Sequence, residues 1–306
     1  MSALAALDCG TNSTRLLICD ESGATIRREM HITRLGQGVD ATGTLAPQAL
    51  ARNYAVLEQY AAMMREAHVT RARLVATSAA RDASNGTEFL DRAQAITGAE
   101  VALLSGDEEA RMSYLGATAD VAASDVPTMI VDIGGGSTEL AAQLPEGFVA
   151  HSMQLGCVRV SERSLGTGIV SPEAAERTWR MIDEQITDAM TVVPRLHELV
   201  GTSRLLGLAG TVATLAQLDA GLEHYDRDKV HHRRLSLNDV VRWREILGAE
   251  TPEDRLRRAG MVPGREDVLV GGLFILEAVM RRFVHDSLLS SESDILDGLI
   301  QSIVAR

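Results

Sequence analysis

The sequence predicts an α/β protein made of two duplicated α/β domains that face an interdomain cleft, and three observations carry that expectation. The first is the stretch Asp132-Ile133-Gly134-Gly135-Gly136-Ser137-Thr138-Glu139-Leu140, which follows the apolar run Met129-Ile130-Val131 and leads into Ala141-Ala142. It reads as strand, tight glycine turn, strand. The second is a copy of it. Asp8-Cys9-Gly10-Thr11-Asn12-Ser13-Thr14-Arg15-Leu16 stands 124 residues earlier (8 against 132). At that offset Gly10, Ser13, Thr14, Leu16 and Gly23 fall on Gly134, Ser137, Thr138, Leu140 and Gly147. A repeat this long signals two related half-structures. The third is size: 306 residues, 45% hydrophobic and 24% charged, suffice for two domains with a core each.

In chain order, residues 3–8, 14–20 and 24–32 read as three antiparallel strands joined at Gly10–Ser13 and Glu21–Gly23. After a loop at 34–38, Pro47 opens a helix to about His68, with Leu50, Tyr54, Leu57, Ala61 and Met64 on one face. Leu74–Thr77 is a fourth strand. It ends in the small, polar segment Ser78–Asn85, which leads into a helix at 87–97, the kind of corner where α/β proteins bind ligands. Val101–Leu104 is a fifth strand, followed by a helix from Asp107 to about Asp120. Residues 122–127 form the hinge, so the domains are 1–122 (with the terminal helix from 294 packing back on it) and 123–293. The second half repeats the hairpins. A long helix follows from Pro172 to about Val193 and continues past Pro194. Then come a strand at 205–209, a helix from Gly210, a polar surface loop at 222–235, helices at 236–248, 252–260 and 265–283, a strand at 284–290 and the last helix from Asp294.

Three consecutive glycines leave no Cβ in the way of a ligand and permit the positive φ angles that aim successive N–H groups together. Such a nest binds anions, phosphate above all. Asp132, at a strand end, stands where it would hold a cation beside that anion. Two facing nests and two aspartates would grip a phosphate chain with a divalent metal; a lone three-glycine turn fits a plain hairpin equally well. Gly210-Thr211, at a strand-to-helix corner, is a third phosphate or nucleotide contact. Arg81 either reaches phosphate or caps an acidic neighbour such as Asp82. The cluster Asp107-Glu108-Glu109 suits an ordinary helix N-terminus, or places one glutamate as a general base on water.

Several classes are excluded. Aromatics are 3%, too few for base-stacking platforms, and the net charge of −12 argues against a nucleic-acid-coating surface. Lys229 is the sole lysine and lacks the glycine context of a P-loop. Cys9, Cys19 and Cys157 have no CxxC spacing and read as buried thiols. His224, His231 and His232 lack zinc spacing with a fourth ligand. Asp8 interrupts the short apolar start, so no signal peptide is expected, and the longest apolar run, Val268–Met280, is too short for a membrane span. A cytoplasmic protein without membrane or nucleic-acid partners is the expectation.

With these residues named, the sequence resembles the exopolyphosphatase / guanosine pentaphosphate phosphohydrolase family over nearly its whole length. The resemblance rests on Asp8–Ser13 with Arg15, Thr77–Asn85, Leu104–Ala110, Asp132–Glu139, Gly156-Cys157-Val158 and Gly210-Thr211. It implies two actin-like (ribonuclease H-like) α/β domains. It implies that Glu109 activates the attacking water with Glu108 as its capping neighbour, and that Arg81 is a basic residue of the cleft. It further implies that Asp8, Asp132 and Glu139 surround Mg2+ (or Mn2+). Gly10, Thr11, Asn12 and Ser13 with Arg15, and Gly134, Gly135, Gly136, Ser137 and Thr138, match the two phosphate loops, joined by Gly210 and Thr211. Terminal phosphate of linear inorganic polyphosphate is then the substrate. Longer relatives carry a further helical domain; an end at Arg306 implies a short form acting on short chains, and leaves open a homodimer that lengthens the channel. Three other readings stay open: hydrolysis of guanosine pentaphosphate (with binding of guanosine penta- or tetraphosphate), a non-catalytic binding regulator, and a sugar kinase.

Overall fold

The computed structural model describes residues 2–305. By contact it divides into two units, Met1–Gly116 with Asp294–Arg306, and Ala117–Ser293. The first unit begins with β1 (Ala3–Cys9), β2 (Ser13–Asp20) and β3 (Thr25–Ile32). It continues through α1 (Val39–Thr42), α2 (Pro47–Glu66), β4 (Val69–Ala76), α3 (Ser78–Asp82), α4 (Gly86–Thr97), β5 (Glu100–Leu103) and α5 (Gly106–Thr118). The second unit opens with β6 (Thr128–Ile133), β7 (Thr138–Leu144), β8 (Gly147–Met153) and α6 (Cys157–Val160). It follows with α7 (Pro172–Val192), β9 (Arg204–Leu208), α8 (Ala209–Asp219), α9 (Arg227–Val230) and β10 (Arg234–Ser236). It ends with α10 (Leu237–Gly248), α11 (Pro252–Leu256), α12 (Leu269–Arg282) and β11 (Ser287–Ser290), after which α13 (Ile295–Val304) returns to the first unit.

The duplication is explicit in the sheets. The first has order β3-β2-β1-β4-β5 and the second β8-β7-β6-β9-β11-β10. In each, the three consecutive strands are antiparallel and the next two join in parallel. This is the actin-like, ribonuclease H-like order twice over, with β10 added at one edge. The turns repeat as well: Gly23 and Gly147 both take positive φ, 88° and 125°.

Strand alternation decides which way each residue faces. On β1, Ala3, Ala5, Leu7 and Cys9 join the core under α2 and α4. Leu4 and Ala6 join a second core formed with α13, which contributes Ile295, Leu296, Leu299, Ile300 and Ile303. Asp8 continues the even-numbered face and so looks toward α13. In the second unit β6 gives Met129, Val131 and Ile133 to one large core that includes Leu269, Leu273 and Phe274 of α12.

Several boundaries differ from the sequence reading. The α2 face is centred on Ala49, Asn53, Leu57, Tyr60 and Met64, with Leu50 and Tyr54 only partly buried. Asn53 is buried because its Nδ2 donates to Thr14 Oγ1 at 2.7 Å and Thr33 Oγ1 at 3.2 Å. Pro194 does not prolong α7: it opens a 3-10 turn, Pro194–Leu199, since proline lacks the N–H that an α-helix interior requires. The segment at 78–82 is helical rather than a loop. The stretch 222–235 contains α9 and the start of β10. The three cysteines are buried free thiols, as expected. Among the described residues no helix is long and apolar enough to cross a membrane.

Candidate active site

The two glycine turns are built alike. Gly10 N donates to Ser13 O and Gly134 N to Ser137 O, both at 3.0 Å. Neither glycine is at positive φ, which corrects the reason given for them above. What matters is where the carbonyls go. In the first turn Thr11 O accepts from Gly36 N at 2.8 Å, and Asn12 O from Thr33 N and Arg34 N at 3.1 and 2.9 Å. In the second, Gly134 O accepts from Cys157 N at 2.9 Å, and Gly135 O from Val158 N and Arg159 N at 2.9 and 3.2 Å. Gly136 O accepts from Arg159 Nε at 2.8 Å. A trans peptide points its N–H opposite its C=O. With the carbonyls drawn onto the chain after β3 or α6, the amides of Asn12 and Ser13, and of Gly135, Gly136 and Ser137, turn to the other side. Both nests therefore arise from neighbours pulling on carbonyls.

The carboxylates sit in register beside these turns. Asp8 pairs with Arg15 across β1 and β2, as Asp132 does with Glu139 across β6 and β7; cross-strand partners share a sheet face. Asp8 Oδ2 accepts from Arg15 Nε and Nη2 at 3.0 and 2.6 Å, while Asp8 Oδ1 is buried without a hydrogen-bond partner. Burial pushes the Asp8 carboxyl up from its ordinary value, and Arg15 only partly offsets this. Arg15 is also engaged by Asp294, the N-cap of α13, through Nη1. Arg15 thus stands as the holder of Asp8, a placement its sequence position did not reveal. Glu139 is buried and accepts from Ser152 Oγ at 2.6 Å. Asp132 is buried too. Thr138 is wholly buried and its hydroxyl donates to Leu155 O; it serves the base of the turn.

The acidic turn of α5 sorts itself by hydrogen bonding. Glu108 Oε2 accepts from Ser105 N and Ser105 Oγ, both at 2.8 Å, and those bonds hold its carboxyl below the usual range. That is a capping box. Glu109, one position on and about 100° round the helix, has a different partner: its carboxylate lies 3.3 Å from Arg81 Nη1 and its side chain is 12% exposed. Arg81 Nη1 also donates to Leu104 O at 2.8 Å, and its Nη2 is buried without a partner. The structure therefore brings Arg81 and Glu109 together from α3 and α5, across the ends of the parallel strands β4 and β5.

In the second unit the Gly210-Thr211 corner joins the glycine turn through α6. Cys157, the first residue of α6, hydrogen-bonds to Thr211 and lies beside Arg265; burial raises its thiol to about 11 in spite of both. A Cβ on Gly210 would stand 1.1 Å from Arg265 Nη1, so the guanidinium packs flat on the backbone where α8 begins. Arg265 was not singled out by the sequence reading, because no local motif surrounds it. Glu266, the next residue, accepts from Gly264 N at 2.6 Å. Its carbonyl accepts from Arg255 Nη1 at 2.9 Å. Both bonds fix the turn that presents Arg265.

Against known proteins, the model of the Ppx/GppA phosphatase family matches residues 18–306. The chain is 38% identical to Exopolyphosphatase 2 of Mycobacterium tuberculosis, covering 99% of each chain. It superposes on an exopolyphosphatase from Cytophaga hutchinsonii with a TM-score of 0.89 and 25% identity, over 99% of this chain and 98% of the other. It also superposes on the Ppx/GppA family member of Aquifex aeolicus, with a TM-score of 0.79 and 27% identity over 99% and 98%. Sequence motifs, duplicated sheets and matches of this extent agree: the chain belongs to the Ppx/GppA phosphatase family.

Proposed function

We propose that this protein is an exopolyphosphatase that hydrolyses the terminal phosphate of linear inorganic polyphosphate, with Glu109 as the general base. The observation that carries the reading is the Arg81–Glu109 pair: a carboxylate held at 3.3 Å by a guanidinium that keeps a second, buried N–H without a partner. Phosphoryl transfer asks chiefly for positioning and charge neutralisation around an in-line nucleophile. Arg81 suits both tasks, orienting the base with one nitrogen and meeting phosphate with the other. The amides of Asn12–Ser13 and Gly135–Ser137 bind phosphate oxygens, with Thr11 at the edge of the first turn. Gly210, Thr211 and Arg265 add a further contact in the second unit. Glu109 takes a proton from water as the water oxygen bonds to the terminal phosphorus; the bridging oxygen leaves with the shortened chain. A binding module would need no such base.

Members of this family are generally dependent on a divalent metal. The residues fit one. Asp8 Oδ1, in the first unit, is a buried carboxylate oxygen without a hydrogen-bond partner, and Asp132 and Glu139, in the second, are cross-strand neighbours; carboxylate oxygens are the donors that the hard ions Mg2+ or Mn2+ take. When bound, such an ion neutralises charge on the phosphate oxygens.

The test is phosphate release by purified protein with magnesium, on short polyphosphate, long polyphosphate and guanosine pentaphosphate. Release from polyphosphate is expected, and Glu109→Gln should lower kcat by about 10²–10⁴-fold with little change in KM. Release from the nucleotide alone would overturn the substrate; a Glu109→Gln protein as fast as wild type would overturn the base.

A further inference from the structure

Outside this site, Asp120, His231 and His232 form a cluster whose ligand atoms all lie within 4.8 Å of one another. His231 Nε2 is 3.0 Å from Asp120 Oδ2 and His232 Nε2 is 3.6 Å from Asp120 Oδ1. Local spacing could not reveal the cluster, since 111 residues separate Asp120 from His231. The two imidazoles stack with centroids 3.8 Å apart, and both Nε2 atoms lie beside the same carboxylate.

Hydrogen bonding accounts for part of this arrangement only. His231 Nδ1 accepts from Glu292 N at 3.0 Å, so in the neutral ring the proton is on Nε2 and is donated to Asp120. Ser293 Oγ donates to the same carboxylate at 3.2 Å. His232 Nε2, by contrast, is shielded from solvent and has no hydrogen-bond partner. Its backbone is held at a φ of 56°, a left-handed conformation that residues other than glycine rarely adopt. A shielded ring nitrogen beside a carboxylate and a second imidazole is placed to serve as a ligand once it is deprotonated. One ligand atom from each of the three residues lies within 4.8 Å of the others, close enough for one ion to draw them in with metal–ligand bonds of about 2.0–2.2 Å.

We propose that Asp120, His231 and His232 form a metal site, specific for a borderline-soft divalent ion of the Zn2+ type and distinct from the carboxylates Asp8, Asp132 and Glu139. Two imidazoles and one carboxylate favour such an ion over magnesium, and solvent supplies the fourth ligand to the exposed Asp120 side. Arg227, whose charge also bears on His231, opposes the cation and keeps the site from being maximally tight. Coordination has a structural consequence. Metal on His231 Nε2 moves the ring proton to Nδ1, where the Glu292 N–H now points, so that hydrogen bond is released. Asp120 opens the second unit and Glu292 closes it; the ion would exchange a bond at the closing segment for one to Asp120.

The experiment is a Zn2+ titration of the full chain against a chromophoric chelator, with magnesium saturating the carboxylate set. One Zn2+ per chain is expected in wild type, weakened at least tenfold in His232→Ala. Amide exchange at Glu292 should quicken on Zn2+ addition in wild type and not in the variant. Asp120→Asn, which keeps the hydrogen bond from His231, serves if His232→Ala does not fold, and should weaken Zn2+ likewise. No zinc uptake by wild type, uptake unaltered by both variants, or an unchanged Glu292 amide in zinc-loaded protein would overturn the proposal.

Discussion

Asp8 lies inside the first unit with one carboxylate oxygen on Arg15 and the other without a hydrogen-bond partner. Burial outweighs Arg15 and lifts its carboxyl above the ordinary value. A raised acid is worse off ionised in the fold than in the unfolded chain. The penalty is therefore absent below the unfolded value and complete above the folded one. At neutral pH without metal the fold carries that penalty in full. Asp8→Asn should raise the Tm of the metal-free protein by roughly 2 °C or more at pH 7, with the gain vanishing at pH values below 3.8. The same variant should lose activity by at least about 100-fold, since loss of a mere supporting group around a metal already costs about 10–100-fold. Scanning calorimetry at two pH values and phosphate release check both halves. A lower Tm at pH 7 would mean that the Arg15 pair outweighs burial. Asp8 was legible in the sequence through its copy at Asp132. Arg15 and Asp294 were not legible as its supports, because that contact joins residues 279 positions apart.

At the scale of elements, the strands and the two turns were readable because hydrophobic period and small residues are local signals. The partners that make the turns into nests come from segments after β3 and β8, and only the folded chain shows them. Helix faces were misread where a polar side chain found buried partners, as Asn53 did. The crossing of α5 and α13 was likewise invisible, though glycines mark it. A Cβ on Gly116 would stand 1.8 Å from Asp294 O, and one on Gly298 would stand 2.1 Å from Met112 O. The two helices approach backbone to backbone, and Asp294 takes its position on Arg15 from that approach. Gly298→Ala should force them apart, costing about 1–3 kcal/mol as an overpacked core does. It should also raise the magnesium concentration that activity requires, because Asp294 moves with α13. Urea unfolding and a magnesium titration of phosphate release measure the two effects; an unchanged midpoint would show that the helices part without cost.

At the scale of the whole molecule, the family and the duplicated architecture could be read from a few turn residues because two copies of a motif constrain each other. The sequence predicts that the terminal helix packs back on the first unit; what the motifs did not carry was which face it covers. The chain leaves that unit at Gly116 and returns at Asp294, and the returning helix covers the face of β1, β2 and β4 that bears Leu4, Ala6, Leu17, Cys19 and Val75. Five large side chains of α13 are buried there: Ile295, Leu296, Leu299, Ile300 and Ile303. At about 1.5–3 kcal/mol each, their burial is on the order of 10 kcal/mol. The whole stability of a domain is about 5–15 kcal/mol. Removal of residues 294–306 should therefore unfold the first unit, whereas the core of the second, centred on β6, β9, α8 and α12, contains no residue of α13. Hydrogen exchange on the truncated protein should show protection lost across β1, β2 and β4 and kept across β6, β7 and β9. Retained protection in β1 would mean that the first unit closes its exposed face by another route.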